Sequence, residues 1–173
     1  GIPSIVYGLF GMLFFVTYLG WGTSLLAGAM TLSIMILPLI MRSTEEALRA
    51  VPDSYREGSF GLGAGRLRTV FKVILPPAMP GILAGIILAV GRIVGETAAL
   101  LYTSGTMAKI PDLAHDHLVM GAGRTLAVHM YMLSGEGLHM KEANATAVVL
   151  LVVVLLINML SSFIAKKLTK EKA

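Results

Sequence analysis

Cysteine is absent from this chain, and charged residues are scarce. The 173 residues contain no cysteine and only 14% charged residues, against 55% hydrophobic ones. Without cysteine the chain has no disulfide, no thiolate metal site and no cysteine nucleophile. Soluble globular domains carry about 25% charged residues. The composition therefore predicts a membrane protein.

Sequence signatures of enzymes and metal sites are also missing. The glycine-rich stretches at residues 61–66 and 121–124 lack the spacing and the lysine of a G-x-x-x-x-G-K-[ST] loop. No nucleophile, base and orienting group come together at a recognisable spacing, which argues against an enzyme. His115 and His117 flank Asp116, but no third ligand follows at a diagnostic spacing. We therefore predict neither a metal nor another cofactor.

The apolar residues are concentrated in long runs. Runs of this length suit helices that cross ~30 Å of hydrocarbon, and they predict about four membrane spans. The predicted spans cover residues 2–19, 23–41, 77–104 and 143–165. Glycine pairs at 81/85 and 91/95 permit close contact between helices. We predict an all-α membrane protein, a polytopic helical bundle.

The basic residues predict how the spans are oriented. Lys and Arg number six in residues 42–76, three in 105–142 and four in the C-terminal tail. Because cytoplasmic connections are enriched in Lys and Arg, the 42–76 loop and the C-terminus are predicted to be cytoplasmic and residues 105–142 external. This scattered distribution, with a net charge of +4, does not indicate nucleic-acid binding. Gly1 directly precedes an apolar run, so we expect residues 1–173 to be one transmembrane domain that lacks an N-terminal part.

Residues 52–76 form a polar, glycine-punctuated segment between two spans. Ser54 and Glu57 have the spacing of a capping box, which predicts a helix that begins at Tyr55. Glycines at 58, 61, 63 and 65 keep that helix short, because each permits a left-handed stop. An amphipathic surface helix is predicted after Gly65, and prolines 76 and 77 close it. Its apolar face consists of Leu67, Val70, Phe71 and Ile74.

This series resembles the cytoplasmic coupling loop of permease subunits in binding-protein-dependent ABC importers. That loop has the form E-A-A-x-x-x-G, nine residues, then I-x-L-P, and Glu57, Gly63, Leu75 and Pro76 match it in this sequence. Gly58 and Ser59 replace the two alanines, and Val73 replaces the isoleucine. The alternative is a plain cytoplasmic loop in which Glu57 only caps a helix.

The resemblance implies a docking role for this loop. The short helix would fit a cleft on a cytoplasmic ATPase dimer, with Phe60 and Leu62 as buried contacts and Arg56 as a rim charge. ATP hydrolysis would then reside on that partner. The residues assigned to coupling are Arg56, Glu57, Gly58, Ser59, Phe60, Leu62, Gly63, Leu75 and Pro76.

Arg92 and Glu96 place two charges inside the predicted third span. A helix of residues 77–104 would put them one turn apart, on nearly the same side. They could form an ion pair that holds the bundle together. However, a charge in a membrane span costs ~3 kcal/mol or more, and such residues usually face a pathway or a partner.

Residues 91–103 read GRIVGETAALLYT and resemble the phosphate-specific permeases of the importer family, the PstA type. An arginine fork can hold two phosphate oxygens and stays charged. The resemblance implies a substrate pathway in which Arg92 contacts the anion, Glu96 tethers Arg92 when the path is empty, and Thr97 contributes a hydroxyl.

The resemblance as a whole implies a type I ABC importer permease in the lipid of the cell membrane. Its cargo would be inorganic phosphate, delivered by an external phosphate-binding protein to a path shared with a second permease subunit. Two alternatives remain open, a permease for another oxyanion such as molybdate or sulfate and a non-transporting membrane scaffold.

Overall fold

The computed structural model describes residues 2–108, 119–137 and 139–170, and these residues form helices and connecting turns without a strand. This agrees with the predicted all-α bundle. The helices are α1 (Ser4–Tyr18), α2 (Leu25–Arg49), α3 (Asp53–Gly61), α4 (Arg66–Val94), α5 (Ala98–Thr103), α6 (Leu126–Glu136) and α7 (Met140–Lys170).

Within the described residues, three helices are long and apolar enough to cross a membrane. They are Leu25–Arg49, Arg66–Val94 and Met140–Ala165. The first predicted span forms a shorter apolar helix, α1, whose second half, Met12–Tyr18, is a π-helix. It ends there because Gly20 and Gly22 adopt φ values of 68° and 65°, which reverse the chain before α2.

The third predicted span differs from the structure at both ends. Prolines 76 and 77 do not close a separate surface helix, because α4 runs through them from Arg66 to Val94. A π-helical stretch, Thr69–Ile74, lies just before the prolines, where such local widening can accommodate the backbone groups that proline leaves unpaired. The helix then stops at Val94, and residues 95–97 separate it from α5.

The chain divides into two compact units. One comprises Gly1–Leu37 and Arg92–Leu155, and the other comprises Pro38–Gly91 and Leu156–Ala173.

In the first unit, small residues allow helices to touch. A Cβ atom added at Gly8 would lie 2.8 Å from the Cα of Ala99, and one at Gly11 would lie 2.8 Å from the Cγ2 of Thr103. The hydroxyl of Thr103 is fully buried but donates to the Ala99 carbonyl at 2.8 Å, so its burial carries little cost.

In the second unit, α2 and α4 approach closely. A Cβ atom at Gly81 would lie 2.8 Å from the Cβ of Ala47, and one at Gly85 would lie 2.6 Å from the Cβ of Ser43. This confirms the role predicted for the 81/85 pair. The prediction is wrong for Gly95, which has no atom within 4 Å of such a position because α4 has already ended.

Candidate functional site

Helix α3 begins at Asp53, with Pro52 as its N-cap residue and no side-chain capping bond. The predicted capping box of Ser54 and Glu57 is therefore wrong. Pro52 has a φ of −55°, and proline is already restricted to the φ range from which a helix can start. The helix consequently starts two residues before Tyr55, and Ser54 lies inside its first turn.

The C-terminus of α3 confirms the predicted glycine stop. Gly63 has a φ of 78°, which is the left-handed conformation that glycine adopts most readily. Its N–H donates to the Phe60 carbonyl at 2.9 Å, and the Ala64 N–H donates to the Ser59 carbonyl at 3.1 Å. These two bonds form a Schellman motif, which satisfies carbonyls that the end of a helix otherwise leaves unpaired.

Arg56 joins α3 to the end of α2. Its Nη2 donates to the Leu48 carbonyl at 2.8 Å, and its Nη1 donates to the Val51 carbonyl at 3.1 Å. Nη1 also pairs with Oδ1 of Asp53 at 2.6 Å. The side chain is 31% exposed. The sequence predicts a rim charge at this position, whereas the structure engages the guanidinium with the chain's own oxygens.

Ser59 and Thr69 join α3 to the start of α4. Their hydroxyl oxygens are 2.9 Å apart, and the residues are 8% and 1% exposed. The Thr69 hydroxyl also donates to the Gly65 carbonyl at 3.2 Å. Ser59 therefore supports the loop from within through its paired, buried hydroxyl.

A small apolar core lies beneath these polar contacts. Val51, Ile74 and Ala78 are 3–5% exposed, and partly buried apolar side chains from α2 and α4 surround them. Burial stabilises by about 25 cal/mol per Å² of apolar surface, so these contacts favour one arrangement of the loop. The surrounding residues are Ala47, Leu48, Val73 and Ile82.

No described residue covers the outer face of α3. Phe60 is 48% exposed and Leu62 is 90% exposed. Glu57, Gly58 and Pro76 are also exposed, while Leu75 is half-buried. An open groove of about 490 Å³ runs beside the helix, with Tyr55 among the residues that line it. A rigidly held helix with exposed apolar side chains is suited to docking into a partner.

Arg92, Glu96 and Thr97 lie where α4 gives way to α5. Arg92 is exposed in the last turn of α4, and the structure gives it no hydrogen bond or ion pair with another described residue. Glu96 lies beyond the helix, and its Oε1 accepts the Ala99 N–H at 3.2 Å. The predicted one-turn spacing and the tether between Arg92 and Glu96 are therefore wrong for this structure. Thr97 is the N-cap residue of α5 but makes no side-chain cap.

The sequence analysis did not predict two contacts of the loop, namely the hydrogen bond between Ser59 and Thr69 and the bond from Arg56 to the Leu48 carbonyl. Thr69 lies between exposed neighbours in the sequence and gives no signal of its pairing with Ser59. The position of Pro52, four residues after Leu48, does give a signal, because a proline there leaves the Leu48 carbonyl without its helical donor. That signal could have identified Arg56 as a replacement donor.

The segment that the sequence predicts to be external, residues 105–142, is described only in part. Within 105–142 the chain forms helix α6, whose N-cap residue Thr125 accepts from the Val128 N–H. His115 and His117 lie outside the described residues. No cluster of three or more potential metal ligands occurs within the described part of the chain.

Comparisons with known proteins place this geometry among permeases. The family described as "Binding-protein-dependent transport system inner membrane component" matches residues 1–172. A relative from Bacillus subtilis (strain 168), "Probable ABC transporter permease protein YqgI", is 40% identical over 97% of this chain and 62% of its own length. The chain thus spans less than two-thirds of that curated relative.

Relatives with a named substrate are also similar. "Phosphate transport system permease protein PstA 1" of Mycobacterium tuberculosis (strain CDC 1551 / Oshkosh) is 35% identical over 99% of this chain and 56% of its own length. "Phosphate transport system permease protein PstA 2" of Mycobacterium bovis (strain ATCC BAA-935 / AF2122/97) is 50% identical over 61% of this chain and 35% of its own length.

A solved structure shares the fold. The MetNI methionine ABC transporter, in inward-facing conformations, contains a chain that matches with a TM-score of 0.75 and 25% identity. The match covers 99% of this chain and 69% of the transporter chain. The predicted type I ABC importer permease fold is confirmed.

Proposed function

The chain belongs to the family of binding-protein-dependent transport system inner membrane components, a family of multi-pass membrane permeases, and on this premise we propose that it is a permease subunit of an ATP-driven phosphate importer. The relatives named as phosphate transport permeases support phosphate as the cargo. The chain would form part of the translocation path.

The arrangement of α3 carries this proposal. Arg56, Ser59 and the Schellman motif hold the helix from within, while Phe60 and Leu62 project from it with 48% and 90% exposure. Large apolar side chains exposed on a fixed short helix favour insertion into a cleft of a partner. We assign that cleft to a cytoplasmic ATPase dimer, which would hydrolyse ATP on behalf of the permease.

The remaining assignments complete the proposed importer. The loop at residues 42–76 and the C-terminus face the cytoplasm, and residues 105–142 face the external phosphate-binding protein. A second permease subunit shares the path. The guanidinium of Arg92, which is exposed and has no ion pair with another described residue, would contact phosphate oxygens along the path. Glu96 and Thr97 form the break beside it, and Glu96 shapes that break by holding the first turn of α5.

Transport by the complete importer tests the proposal. The full-length permease, its partner subunits and the binding protein would be reconstituted in liposomes, and uptake of radiolabelled phosphate would be measured with and without ATP. We expect ATP-dependent uptake that excess unlabelled phosphate suppresses and equal concentrations of molybdate or sulfate do not. Equal competition by those anions would instead support a permease for another oxyanion.

Two variants separate the path from the docking surface. Arg92→Ala should lower uptake about tenfold or more, because it removes a charged hydrogen-bond donor worth about 1.5–3 kcal/mol, and it should retain the ATPase subunit. Leu62→Asp should lose the ATPase subunit on purification, because it puts a charge into an apolar contact. Arg49→Ala is the control, since its pair with Glu45 is exposed on both sides. Unchanged uptake in Arg92→Ala would favour a non-transporting scaffold.

A further inference from the structure

We infer that Arg56 and the Ser59–Thr69 pair are positioning residues that fasten α3 to both of its flanking helices, so that α2 and α4 follow each displacement of α3 together. This inference rests on the proposed function, because the displacement would come from the ATPase. It assigns to Arg56 and Ser59 a role inside the permease that differs from contact with a partner.

The first fastening is the bond from Arg56 to the end of α2, where the Leu48 carbonyl lacks its helical donor. The Leu48 carbonyl would normally accept the N–H of the residue four positions later, but that residue is Pro52, which has none. Arg56 supplies the missing donor through Nη2 at 2.8 Å. Its positive charge also lies at a helix C-terminus, where the partial negative charge of the backbone favours a cation.

The fork of Arg56 links three oxygens that belong to different parts of the chain. Besides the Leu48 carbonyl at the end of α2, it binds the Val51 carbonyl in the connection and the Asp53 carboxylate in the first turn of α3. A lysine ammonium is a compact point charge on a flexible stem and lacks this planar fork. Binding these three oxygens at once therefore requires the guanidinium of arginine, and a positive charge of another shape does not make the same set of bonds.

The second fastening lies at the other end of α3. The Thr69 hydroxyl proton goes to the Gly65 carbonyl, so the Ser59 hydroxyl donates to Thr69 Oγ1 across 2.9 Å. Ten residues separate the two side chains in sequence, and both are buried. Breaking this pair leaves one buried hydroxyl without its partner, which is costly in a site that excludes water.

Both fastenings are needed because α3 is intrinsically weak. It has nine residues and contains Gly58 and Gly61, neither of which has an atom within 4 Å of an added Cβ position. Isolated helices shorter than about 12 residues are marginal in water, and interior glycines weaken them further. Without the fastenings, a push on α3 would bend the loop instead of moving α2 and α4.

A substitution at Arg56 tests the first fastening in the reconstituted full-length importer. Arg56→Lys is expected to lower the amount of phosphate transported per ATP hydrolysed about tenfold, the factor that matches the loss of one charge-assisted hydrogen bond. The ATPase subunit should still co-purify, and hydrolysis should continue. The matched control is Arg66→Lys, the same exchange at an exposed arginine in the same loop, and it should leave the ratio unchanged.

Substitutions at Thr69 test the second fastening independently. Thr69→Val removes the hydroxyl at nearly constant shape and should lower the transport-to-hydrolysis ratio, whereas Thr69→Ser keeps the hydroxyl and should preserve the ratio. Ser59→Ala should also lower the ratio, and adding it to Thr69→Val should change little, because Thr69→Val already breaks the Ser59–Thr69 bond. Ser54→Ala, at an exposed serine of α3, is the control.

The outcomes distinguish this inference from the proposed function. If the unaltered importer transports no phosphate, the proposed function fails. If it transports phosphate and both Arg56→Lys and Thr69→Val keep the unaltered ratio, the inference is overturned while the function stands. Loss of the ATPase subunit in Arg56→Lys would also overturn it, because Arg56 would then contact the partner directly.

Discussion

The Glu96 carboxylate holds the first turn of α5, since its Oε1 accepts the Ala99 N–H at 3.2 Å. The first N–H groups of a helix have no partner within the helix, and a side-chain oxygen placed there commonly stabilises by about 1 kcal/mol. Ala99 is fully buried, so water cannot replace this acceptor. The charge of Glu96 is therefore less important for the fold than its oxygen.

This capping bond predicts different effects for two substitutions of Glu96. Glu96→Ala should lower the free energy of unfolding by about 1 kcal/mol, because it removes the acceptor, while Glu96→Gln should have little effect because its amide oxygen can accept the same bond. The thermal midpoint of the purified protein in detergent measures both. If Gln destabilises as much as Ala, the negative charge itself is required, for instance as a counter-charge to Arg92.

At the scale of elements, α3 depends on its two ends. Its start is fixed by Pro52 and its stop by Gly63, whose φ of 78° excludes most other residues. The sequence predicted the stop because glycine has a local conformational preference. The predicted start of α3 was wrong because two signals for a helix start lie within three residues, Pro52 and the Ser54 capping box. The helix begins directly after the proline.

A proline at position 63 is expected to disconnect α3 from the loop. Gly63→Pro forbids the positive φ and removes the N–H that donates to the Phe60 carbonyl. We predict that ATP hydrolysis continues while phosphate transported per ATP falls about tenfold or more, given a cost of ~3 kcal/mol for a misplaced proline. The assay is uptake and hydrolysis measured on the same liposomes.

Gly61→Ala provides the control for this substitution. Gly61 lies in the same helix, has an ordinary φ and has no atom within 4 Å of an added Cβ. Alanine there should leave transport unchanged, since Gly61 is the last residue of α3 and alanine is tolerated at its ordinary φ without a clash. Full coupling in Gly63→Pro would show that α3 transmits no movement through this end.

Helix α4 illustrates how tertiary context overrides a local signal. Two consecutive prolines, 76 and 77, ordinarily end a helix, yet α4 continues through them after the π-helical stretch Thr69–Ile74. Ile74 and Ala78 on either side of the prolines are 3% exposed in the loop core. Packing on both sides keeps the chain helical, and no nearest-neighbour rule includes that contribution.

At the scale of the whole molecule, the distribution of basic residues predicts a direction across the membrane. The absence of cysteine allows this to be tested cleanly within these residues, because an introduced thiol is unique among them. In intact cells, Met107→Cys should react with a membrane-impermeant maleimide from outside. Arg66→Cys should react only after the cytoplasmic face is opened. Both positions are exposed in the structure.

The reverse labelling pattern would contradict the predicted orientation. It would place the loop at residues 42–76 outside the cell, where no ATPase could reach α3. Equal labelling of both positions in intact cells would indicate leaky membranes, so a native cytoplasmic protein with an exposed thiol must remain unlabelled in the same preparation. Phosphate uptake by each variant establishes that the labelled protein is functional.

The sequence by itself determined the membrane class, the long helices α2 and α7, the glycine stop at Gly63 and the resemblance to importer permeases. Composition, apolar run length and motif spacing are properties of neighbouring residues, so no folded structure is needed to read them. The tertiary structure decided that Arg56 binds the Leu48 carbonyl, that Ser59 meets Thr69, and that Glu96 caps α5 instead of pairing with Arg92. Each of these contacts depends on atoms that only the folded backbone brings within about 3 Å, the range at which hydrogen bonds form.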